Sequence, residues 1–123
     1  MANPNLGSFS NVYGITFQNT LTTSNVVQVT NGSGSGKVYK IETILVSNND
    51  SSNTANVNVE INENASGTGD RYRLSPNIGV PPNSSLVVID KESSIFLNED
   101  RTIKASAHLE NALEITISYQ ELS

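Results

Sequence analysis

Leu113-Glu114-Ile115-Thr116-Ile117-Ser118-Tyr119-Gln120 alternates apolar and polar residues without a break. Successive side chains of a strand point to opposite faces, so this stretch offers one apolar face to a core and one polar face to water. Asn56-Val57-Asn58-Val59-Glu60-Ile61-Asn62 repeats the pattern. Ile103, Ala105 and Ala107 alternate with Lys104, Ser106 and His108 in the same way. Half-buried antiparallel sheet follows from this period.

Working outward, further strands fall at Val12–Phe17, Val26–Val29, Val38–Ser47, Arg71–Leu74, Leu86–Ile89 and Ile95–Leu97. Within Val38–Ser47 the apolar phase shifts between Ile41 and Ile44, which predicts a bulge or two-sided burial. The polar turn Asn48–Asn53 predicts a hairpin that joins this strand to Ala55–Ile61. Pro76 ends the Arg71 strand or places it at a sheet edge. Val80-Pro81-Pro82-Asn83-Ser84-Ser85 reads as a rigid turn, and the apolar run Leu86–Ile89 reads as well buried. Asn98-Glu99-Asp100-Arg101 is a turn before Ile103. Strands spaced by about 8–12 residues predict an all-β antiparallel β-sandwich, jelly-roll or immunoglobulin-like, of about eight strands. Residues 1–10 read as an N-terminal arm and residues 11–123 as a single β-sandwich domain.

The composition agrees. Asn (17), Ser (17) and Thr (10) exceed a third of the 123 residues. These residues compete with the helical backbone and suit turns and strands. A net charge of −5 offers no basic patch for nucleic acid or an anionic membrane surface. There is no cysteine, so disulfides and thiolate metal sites are excluded. Met1–Phe9 has neither a basic nor an apolar leader region. No apolar run approaches the ~20 residues of a spanning helix. The expected setting is a cytoplasm, until the chain is assembled or released.

Candidate chemistry is sparse. Gly32-Ser33-Gly34-Ser35-Gly36-Lys37 has the glycines of a phosphate loop, but Val38 and a strand follow where Ser/Thr and a helix are required. His108 is the one histidine and has no partner motif, so it reads as a solvent-facing strand end. The Asn48–Asn53 turn holds one carboxylate, Asp50, where calcium loops use several. Glu60, Glu63, Glu110 and Glu114 could form an acid–base pair only at a defined separation in a cleft. The alternation instead turns Glu60 and Glu114 outward to water. Asn31, Asn49, Asn64 and Asn83 head glycosylation-type triplets at the frequency the composition gives by chance. No catalytic, cofactor-binding or metal-binding residue emerges. Arg71-Tyr72-Arg73 is the densest cationic–aromatic cluster, either an edge-strand ion-pair group or a protein contact. Leu6 and Phe9 are apolar anchors in the arm, and Tyr13 continues them.

Three segments carry a resemblance. They are Val38-Tyr39-Lys40-Ile41-Glu42-Thr43-Ile44-Leu45-Val46-Ser47-Asn48, Val80-Pro81-Pro82-Asn83-Ser84-Ser85-Leu86-Val87-Val88, and Ile95 to Ala107 closing with Ile115-Thr116-Ile117-Ser118-Tyr119-Gln120-Glu121. In this order they resemble small β-sandwich virion structural proteins of tailed bacteriophages, the type found in phages of marine bacteria and cyanobacteria. The similar proteins often have Gly in the turn where this chain has Asn98-Glu99-Asp100-Arg101. The resemblance spans roughly residues 38–123 and transfers no functional residue. It implies a non-enzymatic virion protein without cofactors, present as a homo-oligomer or multi-copy array. The leading reading is a capsid decoration or cement protein that binds the major capsid protein or other virion proteins. Its contact candidates are Leu6, Phe9, Tyr13, Arg71, Tyr72 and Arg73. The alternatives are a neck, tail or fibre-associated ring or trimer, and a carbohydrate-binding module, for which the absence of Trp leaves few stacking residues.

Overall fold

The computed structural model describes residues 7–123. Its strands are β1 (Val12–Thr20), β2 (Val26–Asn31), β3 (Val38–Asn48), β4 (Ala55–Asn62), β5 (Arg71–Val80), β6 (Ser85–Ile89), β7 (Ile95–Leu97), β8 (Arg101–Ala107) and β9 (Leu113–Leu122). A single 3-10 turn, Lys91–Ser93, separates β6 from β7. Sheet A has the order β1-β9-β3-β6, with β7 also on β3, and sheet B has the order β2-β8-β4-β5. All pairings are antiparallel.

The pairs are nested: β1 with β9, β2 with β8, β3 with β6 and β7, β4 with β5. One long antiparallel hairpin is thus rolled into two sheets. β9 then also meets β3, and β8 meets β4. This is the jelly-roll arrangement, one of the two sandwich types the strand spacing allowed.

The alternation fills the space between the sheets. Sheet A supplies Ile41, Ile44, Val46, Ile89, Leu97, Leu113, Ile115 and Ile117. Sheet B supplies the smaller Val29, Ala55, Val57, Val59, Val80, Ala105 and Ala107, with Ile103. Large residues on one sheet against small ones on the other let the layers interdigitate at crystal-like density. The phase shift in β3 is a register irregularity between Ile41 and Thr43 against β9.

Several expectations require correction. β3 and β4 do not form a hairpin; they lie in different sheets, and residues 49–54 cross between them. The reason is Asn48, which is buried and turns inward. Its side-chain amide donates to Asn53 O and to Val80 O, both at 2.8 Å, tying the crossover to the start of β4 and the end of β5. Leu86–Ile89 is not uniformly buried. β6 lies at the edge of sheet A, so its outer side chains meet solvent and Val87 is 56% exposed. Of the two placements expected for Pro76 the structure shows the second: β5 runs through it as an edge strand, where a missing N–H is tolerated.

Asn48 belongs to a repeated device. β2, β3 and β4 each end on a buried asparagine: Asn31, Asn48 and Asn62. Each donates to a carbonyl of the loop that follows, Lys37 O (2.9 Å), Asn53 O (2.8 Å) and Gly69 O (3.0 Å) respectively. Asn31 also reaches Leu97 O at 3.0 Å. Buried carbonyls in a loop are costly unless paired. Left-handed backbone positions complete the turns: Asn83 (φ 56°), Asp100 (φ 59°) and Asn111 (φ 60°), residue types that tolerate this region. The Asp100 carboxylate adds a bond from Ala65 N at 2.9 Å.

Replacing Asn48 by Ala leaves the carbonyls of Asn53 and Val80 without this donor. The expected loss is about 2 kcal/mol of unfolding free energy, measured by chemical denaturation against wild type. The exposed neighbour Asn49→Ala changes stability by less than about 0.5 kcal/mol.

Candidate functional site

The sandwich has two side edges. β1 and β2 lie along one, and β5 and β6 along the other. The sequence candidates divide between them. Leu6 lies outside the described residues. Phe9 and Tyr13 lie at the β1 edge, and Arg71, Tyr72 and Arg73 open β5 at the opposite edge.

At the first edge the backbone is tied down from Ser10 onward. Ser10 N and Asn11 N donate to Ser123 O at 2.7 and 2.9 Å, and Ser123 N donates to Asn11 O at 3.0 Å. These bonds extend the β1–β9 ladder. Phe9, Val12 and Tyr13 remain 38%, 50% and 58% exposed. Tyr13 faces Glu121 across the ladder, and Glu121 in turn faces Tyr39. Glu121 forms an ion pair with Lys37, and this hydrogen bond holds the Lys37 ammonium pKa above its ordinary value. Tyr39 stacks on Tyr119 with ring centroids 5.0 Å apart. Partial burial raises both phenols above the ordinary value, so they stay neutral.

At the second edge the structure separates the cationic–aromatic cluster. Arg71 pairs in register with Asn62, Tyr72 with Ile61, and Arg73 with Glu60. The two arginines therefore share the outer face with Glu60, while Tyr72 shares the face of Ile61 at the rim of the core. Ser75 would ordinarily share the face of Arg73. A register shift places Ser75 opposite Val59 and Arg73 opposite Glu60, so Ser75 turns inward and Arg73 outward. The Ser75 hydroxyl donates to Val57 O at 3.4 Å.

Glu60 is the main departure from the sequence reading. Its outward register is as expected, but it is not solvated: its exposure is 0%. Asn25, from the loop before β2, donates to Oε1 at 3.1 Å, and Asn58 donates to the same oxygen at 3.0 Å. Arg71 Nε lies 3.6 Å from it. Lys104 stands opposite on β8 and donates to Gly67 O at 3.1 Å. The outer face of sheet B is thus partly covered by its own loops. Glu114 does remain exposed.

The other candidate groups serve the backbone. His108 Nδ1 accepts the Asn56 amide at 2.7 Å. The Asp50 carboxylate accepts the Ser52 and Asn53 amides, which holds its pKa below the ordinary value. Glu110 accepts the Thr23 hydroxyl at 2.6 Å and the Thr23 amide at 2.8 Å, and these bonds lower its pKa. No group of three or more His, Cys, Asp or Glu that could hold a metal occurs among the described residues. No helix among them is long and apolar enough to cross a membrane.

One concavity lies on the outer face of sheet A, lined by Gln18, Thr20, Ser47, Glu114 and Thr116, among others. On sheet B a cavity of about 430 Å³ is lined by Asn25, Asn58, Arg71, Arg73, Pro76 and Ser106, among others.

No protein-family model matches the chain. No curated protein matches it either. Among solved structures, a chain of the IBDV viral particle aligns with 91% of this chain at 14% identity and a TM-score of 0.45. This chain spans 30% of that chain's length.

Arg71→Leu removes the ion-pair partner of the buried Glu60 carboxylate. The expected loss is about 1–2 kcal/mol, reduced when Glu60→Gln is combined with it, as a double-mutant cycle by denaturation measures. Glu110→Ala removes an acceptor whose folded pKa is depressed below its ordinary 4.5. A depressed carboxylate contributes stability above its unfolded pKa and loses it as pH falls through the folded pKa. The melting-temperature gap between wild type and Glu110→Ala is therefore constant from pH 7 down to that ordinary value, then narrows under further acidification.

Proposed function

We propose that this chain is a non-enzymatic structural protein of a virion, seated on the capsid surface in many copies as a decoration protein. The observation that carries the reading is the β1 edge. A nine-residue edge strand begins with exposed Val12 and Tyr13, and exposed Phe9 lies just before it. Exposed apolar residues clustered on an edge strand mark a surface meant for another chain. Tyr and Phe are enriched at such contacts, and Arg is enriched with them. The jelly roll supports the reading as a body that closes around one core and recurs in viral shells. The resemblance to phage virion proteins points the same way.

In this reading Phe9 and Tyr13 dock on the major capsid protein. The opposite edge, with Arg71 and Arg73, is free for a neighbouring copy or a second virion protein. Each contact is small, but repeated attachment across a shell raises effective concentration, so modest patches hold.

Quantitative mass spectrometry of purified phage particles, normalised to the major capsid protein, tests this. Near-stoichiometric amounts are expected. A ratio of a few per hundred assigns the protein to the neck or tail, and absence from particles overturns the virion reading. Phe9→Ser combined with Tyr13→Ser lowers particle occupancy at least tenfold while leaving the melting transition close to wild type. Undiminished occupancy of that variant removes the β1 edge from the contact.

A further inference from the structure

We propose that β1 is a docking edge for a second copy of this chain, the two β1 strands pairing antiparallel about a two-fold axis so that two copies of sheet A become one continuous sheet. The inference concerns the chain on its own and does not rest on the virion reading.

The β1 ladder shows which backbone groups are unused. Asn11 and Ser123 exchange both backbone hydrogen bonds, at 2.9 and 3.0 Å, and Leu21 N donates to Leu113 O at 2.8 Å. In an antiparallel ladder such bonded pairs alternate with non-bonded ones. Between these two points the register of β1 on β9 is unbroken. Tyr13, Ile15, Phe17 and Asn19 therefore turn their backbone groups to β9. Val12, Gly14, Thr16, Gln18 and Thr20 turn theirs the other way, where sheet A has no further strand. Of these, Thr20 N already donates to Asn19 Oδ1 at 2.9 Å.

An open edge templates pairing with another chain, and native sheets blunt their edges with charge, proline, bulges or brevity. The other edges here are blunted. β2 carries a register shift between Val27 and Val29. β5 carries Arg71, Arg73, Pro76 and two register shifts. β6 has five residues and a register shift, and β7 has three residues. β1 has nine residues without a charge, a proline or an irregularity. Addition of a strand is the recognition mode such an edge supports.

The strand's own chemistry selects the occupant. The chain carries a net charge of −5, so copies repel except through an uncharged surface. β1 is such a surface, and it complements itself. Pairing centred on Thr16 sets outward groups against outward groups: Thr16 against Thr16, Gly14 against Gln18 and Val12 against Thr20 of the second copy. Partly exposed Ile15 then faces Phe17 of the second copy, an aromatic–β-branched pair that the symmetry makes twice. Gly14 fits this arrangement. A Cβ there would meet nothing within 4 Å, so no contact inside the chain requires glycine. Glycine within a strand often marks close approach of another backbone. The nearby carboxylates do not oppose the pairing. Glu121 is ion-paired with Lys37. Glu114 faces Thr20, so the two-fold axis sets its two copies at opposite ends of the joined ladder. Phe9 precedes the ladder and stays available to a different partner.

The test is sedimentation equilibrium of the purified chain between about 1 μM and about 1 mM, with amide hydrogen exchange followed by NMR at both ends of that range. The expected result is a species of twice the 13.2 kDa chain mass at the upper end. There the amides of Val12, Gly14, Thr16 and Gln18 become protected, whereas at the lower end they exchange fast. Those of Tyr13, Ile15 and Phe17 are protected at both. Thr16→Lys, at an exposed position, sets like charges against each other on the two-fold axis. It weakens dimerisation at least tenfold and leaves the melting transition close to wild type. The amide pattern needs no variant and decides alone if Thr16→Lys does not fold. A chain that is monomeric throughout overturns the proposal. So does a dimer in which the Val12, Gly14, Thr16 and Gln18 amides stay unprotected, or one that folded Thr16→Lys does not weaken, because such a dimer joins through another face.

Discussion

Ile115 and Ile117 hold the centre of the molecule. They lie on β9, which pairs with β1 on one side and β3 on the other, and their side chains are wholly buried. One residue of slip would turn both to solvent and bring Thr116 and Ser118 into the core, because the side-chain period of a strand is two. The other pairings inherit this register. β3 fixes where β6 and β7 add to sheet A, and the inward face of sheet A fixes which face of sheet B must be apolar. The contacts are mostly between distant parts of the chain, so the fold depends on closing long loops before its core is formed.

Sequence alone reveals the elements much better than their neighbours. Alternation at Leu113–Gln120 and Asn56–Asn62 marks strand, face and approximate ends, because those properties are local. The irregularity after Ile41 is legible for the same reason. The pairing of β3 with β4 is not legible. A strand with one apolar face satisfies its hydrogen bonds on any antiparallel partner, and the six polar residues after Ser47 look like a hairpin tip. What decides otherwise is the inward turn of Asn48, a residue type equally at home in an exposed turn.

Glu60 shows the limit most clearly. The period assigns its face correctly, and burial then contradicts the usual meaning of that face. The groups that cover it come from Asn25, in a loop 35 residues earlier, and from Arg71, on a strand whose bulges no propensity foretells. The Arg71-Tyr72-Arg73 cluster is likewise visible as composition. Its division into two outward cations and one rim aromatic follows from pairing with β4.

The asparagines that close β2, β3 and β4 also bear on chemical ageing. Asn31 is followed by Gly32, and glycine offers the least hindrance to attack of its own backbone nitrogen on the preceding side-chain carbonyl, the step that begins deamidation. In the folded chain the Asn31 amide is buried and donates to Lys37 O and Leu97 O, which restrains the side-chain rotation that attack requires. Conversion to aspartate would set a negative charge against two carbonyl oxygens in a buried site, which folding resists. The unfolded chain has no such protection. Its lifetime as an intact molecule is therefore tied to the fraction of time it spends folded, and damage at Asn31, once made, keeps the loop from closing again.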